Sequence, residues 1–276
     1  LDLKTGNYIK NSLNEIMSSE YYTVLSVAES DKYIYFHINY YDEELSEYKN
    51  AVVVFDKNLN FIKELKFEFN GGNYSIYSIK NYKGKIYFDL YANYDYNEFF
   101  ELDEETFNLK SIYKPYSKID FIINDNLFFE GYSSFYEKRL LYKYSMETKR
   151  KKLISTTNSY YNEKYVVGDY IYLLNYYRNN NESSCKLQKI SYDGKERYTY
   201  DIELPYIYNL YFTDKEIYFS HYNESEGEAI TYLNLEGNKT ITLNEENKYL
   251  KNAREIYSFE RANYIIIGKN NGLYLL

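Results

Sequence analysis

The chain has no tryptophan, one cysteine, two prolines and two histidines among its 276 residues, and each shortage excludes something. With Cys185 alone, no disulfide can form within the chain. A Ser-His-Asp relay would have to recruit His37 or His221, and no Gly-x-Ser-x-Gly elbow is present. Without Trp there is no Ser-x-Asp-x-Gly-x-Thr-Trp box of the sialidase kind, and stacking of sugars loses its best platform. Glycine is also sparse, at 11 residues, and no Gly-rich phosphate loop exists; Gly71-Gly72 reads as a turn. No apolar run approaches the ~20 residues of a membrane-spanning helix. The net charge of −8 and pI near 5.1 argue against DNA or RNA as partner. The only short basic run, Lys149 to Lys152, falls where a hairpin turn is expected and reads as solvated charge.

What is abundant is tyrosine, 41 residues, with 16 phenylalanines beside it. Aromatic and β-branched residues suit pleated sheet, and no long segment keeps apolar residues at helical spacing without interruption. One short motif recurs along the chain. Ile34-Tyr35-Phe36, Ile86-Tyr87-Phe88, Leu127-Phe128-Phe129, Ile171-Tyr172-Leu173, Ile217-Tyr218-Phe219 and Ile265-Ile266-Ile267 stand 52, 41, 44, 46 and 48 residues apart. A period near 45 residues is that of a propeller blade. An apolar run precedes each of five anchors, and a loop, a second apolar strand, a tight turn and a third strand follow. Lys186 to Ile190, turn Asp193-Gly194 and Arg197 to Tyr200 show the order, with Asp-Gly supplying the positive φ that hairpins need. That makes four antiparallel strands per repeat, the content of one blade.

The spacing predicts an all-β, six-bladed β-propeller forming one domain over 1–276. Blades are expected over 21–69, 73–113, 118–155, 162–203, 205–244 and 253–276 plus 1–13. Pro115 and Pro205 each stand 12 residues before an anchor, at the start of a strand, where a missing ladder donor costs least. From Ile265 to the C-terminus and on from Leu1 to Ile34 is one repeat length, 45 residues. The last blade is therefore expected to be closed by N- and C-terminal strands together, which removes open sheet edges. Because the chain begins with Leu in mid-blade, removal of an N-terminal segment is also expected.

The repeated Ile-Tyr-aromatic strand, Leu-x-x-Ile strand and Asp-Gly turn resemble the six-bladed propellers of the LDL-receptor YWTD type. They look closest to that group's bacterial relatives, a domain family of unknown function found in low-GC Gram-positive bacteria. The excess of Tyr, Asn, Lys and Ile matches the coding bias of such organisms. The Trp-Thr-Asp part of the motif is missing, the anchors continuing as Phe36-His37, Phe88-Asp89 and Phe219-Ser220. The resemblance implies the architecture and an extracytoplasmic, partner-binding role at the cell surface, membrane-anchored or secreted. It transfers no site residue.

Candidate residues lie beyond the anchor strands, on loops that a propeller gathers on one face. Acidic residues there are Asp42, Glu43, Glu44 and Glu47, then Asp95 and Glu98, Glu182, and Glu224, Glu226 and Glu228. No loop has the dense Asp spacing of a calcium site, so neither a metal nor another cofactor is expected. The same loops carry Tyr40, Tyr41, Tyr94, Tyr96, Tyr176, Tyr177 and Tyr222, together with Tyr132. Tyr among small amides and hydroxyls makes an adaptable contact surface at low entropy cost. His37 and His221 are read as ordinary packed or surface histidines, and Asp89 as a strand carboxylate bonded to a neighbouring blade. The expectation is a non-catalytic, monomeric binding or scaffold module with a protein or peptide partner, a cell-wall glycan being a further candidate ligand. A hydrolase with carboxylates at the channel mouth is the alternative, and a structural spacer the third reading.

Overall fold

A computed structural model describes residues 22–42, 46–65, 67–69, 72–92, 96–115, 117–133, 138–179, 182–202, 207–213, 216–223, 227–235, 239–242, 255–259, 262–269 and 272–275. Every regular element among them is a strand. The first sheet is a meander of β1 (Tyr22–Glu29), β2 (Tyr33–Asp42), β3 (Glu47–Asp56) and β4 (Phe61–Leu65). The second has five strands in order: β5 (Glu68–Phe69), β6 (Gly72–Tyr82), β7 (Lys85–Ala92), β8 (Tyr96–Leu102) and β9 (Leu109–Tyr113). The third comprises β10 (Ile119–Ile123), β11 (Asn126–Ser133), β12 (Lys138–Ser145) and β13 (Lys151–Thr157).

The fourth runs β14 (Tyr161–Val167), β15 (Tyr170–Asn179), β16 (Glu182–Ser191), β17 (Arg197–Ile202). The fifth is β18 (Ile207–Phe212), β19 (Glu216–Asn223), β20 (Gly227–Asn234) and β21 (Lys239–Thr242). Among the described residues the last sheet has three strands, β22 (Glu255–Phe259), β23 (Ala262–Lys269) and β24 (Gly272–Leu275). The N-terminal segment 1–13, expected to complete it, lies outside the described residues. Glu68 and Phe69 pair with Asn73 and Gly72 and so extend the second sheet rather than the first.

The six anchor triplets lie on β2, β7, β11, β15, β19 and β23, and in β7, β11, β15 and β19 burial explains why they are apolar without alternation. Ile86, Phe88 and Leu90 point into a cluster with Tyr35, Val52 and Val54 of the first sheet. The intervening Tyr87 points the other way, packing with Phe99, Ile119, Leu127 and Phe129 toward the third sheet. A strand covered on both faces reads as a continuous hydrophobic run. Fully burying one such side chain stabilises by roughly 1.5–3 kcal/mol. The turns between first and second strands are tight: Lys83 and Gly84, at φ 53° and 77°, close one, and Asn124 and Asp125, at 48° and 57°, close another. Two successive positive φ values match the twist of the flanking strands.

The chain divides into two compact units, Leu1–Ser133 with Leu140–Leu153, and Ser134–Arg139 with Ile154–Leu276. In the first, sheets one to three pack as above, and the Tyr35 hydroxyl donates to Glu104 Oε1 at 2.5 Å, joining β2 to the turn after β8. In the second, Tyr172, Leu174, Leu187 and Tyr200 meet Ile207, Leu210, Ile217 and Phe219, which joins the fourth sheet to the fifth.

Candidate functional site

At one end of each sheet the first strand begins, the second ends and the third starts. The tyrosines singled out above belong to this end, but the structure places them on strands rather than loops. Tyr40 and Tyr41 lie within β2, and Tyr41 faces Tyr48 across the ladder. Tyr176 and Tyr177 lie within β15, facing Cys185 and Ser184, so the stretch between the Ile171-Tyr172-Leu173 anchor and Lys186, expected to be loop, is mostly sheet. Tyr222 stands in β19 opposite Glu228, and Tyr96 opens β8 opposite Ala92. Tyr94 lies outside the described residues. Cross-strand pairing of Tyr with Tyr, Lys and small polar residues carries these hairpins further than the polarity of the sequence indicates.

Several of these rings are committed to the fold. In the first unit Tyr40 packs against the cluster of Ile38, Ala51, Val53 and Phe55. In the second, the Tyr176 hydroxyl lies 3.2 Å from the Ile207 carbonyl oxygen and 3.4 Å from Glu163 Oε1. Burial raises its pKa, and the Glu163 charge raises it further, so the phenol stays neutral and donating. The Tyr177 hydroxyl bonds Thr157 Oγ1 at 2.9 Å.

The rings that face solvent are their neighbours. In the second unit Tyr160 is 75% exposed and Tyr208 is 56% exposed, with Tyr161 also exposed and its ring 5.7 Å from that of Tyr176. The Tyr160 backbone is fixed twice: its N–H donates to the Tyr176 carbonyl at 2.8 Å. Its own carbonyl receives Arg139 Nη2 at 2.7 Å and Nε at 3.2 Å. In the first unit the exposed rings are Tyr48, Tyr77 and Tyr132. Tyr48 meets Tyr41 edge-on at 5.2 Å, and Tyr77 meets Tyr91 at 5.4 Å.

Sequence reasoning missed Tyr48, Tyr77, Tyr160, Tyr161 and Tyr208. For two of them a signal exists. Tyr77 is the extra residue of a bulge between Ile76 and Ser78, and Tyr208 of one between Ile207 and Asn209. Leu25 occupies the same place between Val24 and Ser26. Each stands nine residues before its anchor and is followed by Ser or Asn. A bulge turns its extra side chain out of the alternation, which leaves all three exposed.

Among the described residues two histidines and two carboxylates are internal. His37 is 2% exposed, with Nδ1 3.4 Å from Ser26 Oγ, and burial holds its pKa below the usual value, partly offset by Asn50. His221 is buried too, its Nε2 2.7 Å from Thr231 Oγ1. Both are packed, which decides between the packed and surface roles that the sequence left open. Glu98, read above as a loop acid, is instead a buried residue of β8. It accepts from Ser111 Oγ at 2.5 Å and pairs with Lys114 at 3.2 Å.

Asp89 is fully buried, and its Oδ2 accepts the Ile119 backbone N–H at 2.6 Å. This is the bond to a neighbouring sheet expected of it. Its Oδ1 has no partner among the described residues. Burial pushes its pKa up to about 7, against the lowering effects of the Ile119 N–H and Lys80. Among the described residues no three His, Cys, Asp or Glu side chains are grouped to hold a metal ion. The acidic side chains Glu43, Glu44, Asp95, Glu224 and Glu226 lie outside the described residues.

No protein family and no curated protein matches the chain. Solved structures do. The β-propeller domain of the Trilobed protease from Pyrococcus furiosus aligns with a TM-score of 0.56 and 12% identity, over 93% of this chain and 81% of that one. The acylaminoacyl peptidase of Pyrococcus horikoshii aligns with a TM-score of 0.55 and 12% identity. That alignment takes in 94% of this chain and 45% of the peptidase, so the chain spans under half of that enzyme's length. At this identity the likeness shows the fold alone, a β-propeller.

Proposed function

We propose that this β-propeller is a non-catalytic binding or scaffold module that works outside the cell, displaying a tyrosine-rich sheet end to a peptide or protein partner. The observation that carries the reading is the set of exposed rings on fixed backbone. In the second unit Tyr160 and Tyr161 are held by Arg139 and Tyr176, and Tyr208 is turned outward by a bulge. Rigid amphipathic anchors on an ordered frame give contact area at low entropic cost.

Neighbours that are parts of a protease and a peptidase favour a peptide over a cell-wall glycan as the partner. The same proposal includes six blades, the last closed by 1–13, a relationship to the bacterial relatives of YWTD-type propellers, and a monomer at the cell surface.

Selection of peptides from a random display library on the immobilised chain tests the reading. Enriched sequences that bind the soluble protein and are lost on replacing Tyr160, Tyr161 and Tyr208 by Ser support it. Enrichment that ignores those substitutions, or no enrichment, rejects it.

A further inference from the structure

The third sheet carries a charge opposite to that of the whole chain. Between Ile119 and Thr157 seven Lys and Arg stand against five Asp and Glu, whereas the full sequence has 33 against 41. The excess is concentrated where β12 turns into β13. Lys149, Arg150, Lys151 and Lys152 are consecutive and all exposed. The next residue, Leu153, is an exposed apolar side chain at 44%. No acidic residue occurs from Thr148 to Ser159.

The run is built on a fixed turn. The Lys149 N–H donates to the Ser145 carbonyl at 2.9 Å, and the Ser145 N–H to the Arg150 carbonyl at 3.0 Å. Thr148 N–H donates to Ser145 Oγ at 3.1 Å. β13 is the last strand of its sheet, bonded to β12 alone.

A lysine at a sheet edge often serves only to block edge-to-edge pairing. Two other outermost strands use mixed signs for this, Lys63 with Glu64 on β4 and Arg197 with Asp201 on β17, while β9 and β21 carry a single lysine each, Lys110 and Lys239. On β13 two lysines follow two further cations and no acid accompanies them.

We infer that the turn and edge around Lys149–Lys152 dock against an anionic lipid bilayer surface. Successive strand residues point to opposite faces of a sheet, so Lys151 and Lys152 cannot both line one groove of the kind a peptide needs. Lys151 rises over the Tyr142 ring, its Nζ 4.8 Å from the centroid, and Lys152 leaves by the other face. Long stems reaching around an edge from both faces meet instead at a broad plane of charge. Each Lys or Arg close to such a plane adds about fivefold in partitioning, within a Debye length of the surface. Leu153 gives the same edge an apolar contact with the interface.

The test is sedimentation of the soluble chain with vesicles. Binding is expected to phosphatidylglycerol-containing vesicles at low salt and not to pure phosphatidylcholine, falling as salt is raised. Replacing Lys149, Arg150, Lys151 and Lys152 together by Gln should weaken it by about a hundredfold or more, with the thermal midpoint unchanged because all four are exposed. Arg150→Lys should leave it intact. Absence of binding to anionic vesicles, equal binding by the quadruple variant, or binding to soluble polyglutamate in place of vesicles would each overturn the inference.

Discussion

Asp89 on β7 receives the backbone N–H of Ile119 on β10 at 2.6 Å, so a fully buried carboxylate joins the second sheet to the third. Burial pushes its pKa up to about 7, above the ordinary carboxylate range. Lys80 and Lys118 oppose that rise and Asp120 adds to it. The folded chain is then the better proton binder. The stability this confers is complete below the usual Asp pKa and is lost as pH rises through about 7. Asp89→Asn keeps an acceptor for Ile119 and removes the ionisation. The expected outcome is a higher thermal midpoint than wild type at pH 8, by several degrees, and a flatter profile between pH 5 and 8. Each unit of pKa shift corresponds to about 1.4 kcal/mol, and about 1 kcal/mol moves a domain of this size by roughly 2–4 °C. Thermal unfolding across pH checks it.

Tyr35→Phe removes the hydroxyl that reaches Glu104 at 2.5 Å from a ring with no solvent exposure. A single hydrogen bond to a charged group contributes about 1.5–3 kcal/mol, and the ring's packing is retained. A lower urea midpoint with an unchanged m-value is the expected result.

Phe88→Ala and Phe219→Ala each empty a fully buried position in the core of one unit. The expected loss is about 3–5 kcal/mol, against a change within ~0.5 kcal/mol for Tyr160→Ala at the surface. Denaturant titration of the three variants separates core aromatics from displayed ones.

Cys185 is buried against Tyr176, Leu187 and Ile207, and burial pushes its thiol up to about 12, with the Glu163 charge adding to the effect. Thiolate is the reactive form. A thiol reagent at pH 8 should therefore modify the native chain slowly and the urea-unfolded chain at once.

The repeat itself was legible. Six anchor triplets mark six inner strands, and in β7, β11, β15 and β19 burial on both faces forces apolar residues at three successive positions. The Asp193-Gly194 turn is equally plain: Gly194 takes φ 76°, and the Asp193 carboxylate accepts from Lys195 N–H and Ser191 Oγ. Strand ends were not legible, because the partner across the hairpin sets them rather than the polarity of the segment itself. Tyr41 stays in β2 because Tyr48 stands opposite, and Tyr177 stays in β15 because Ser184 does. Glu98 shows the same limit. Its neighbours in sequence look like loop, yet Ser111 and Lys114 on the far side of a hairpin make it an interior residue. Bulges at Tyr77 and Tyr208 break the alternation from which exposure is read, and only aligned repeats expose the pattern.

The decisive measurement is the affinity of one selected peptide for two variants of this chain, taken with thermal midpoints. One is Tyr160→Ser with Tyr161→Ser, the other Tyr176→Phe. If displayed rings on a fixed frame form the binding face, the double variant loses binding by about tenfold or more with its stability unchanged. Tyr176→Phe then loses stability before affinity. Full affinity in the double variant would contradict the account and place the contact elsewhere on the molecule.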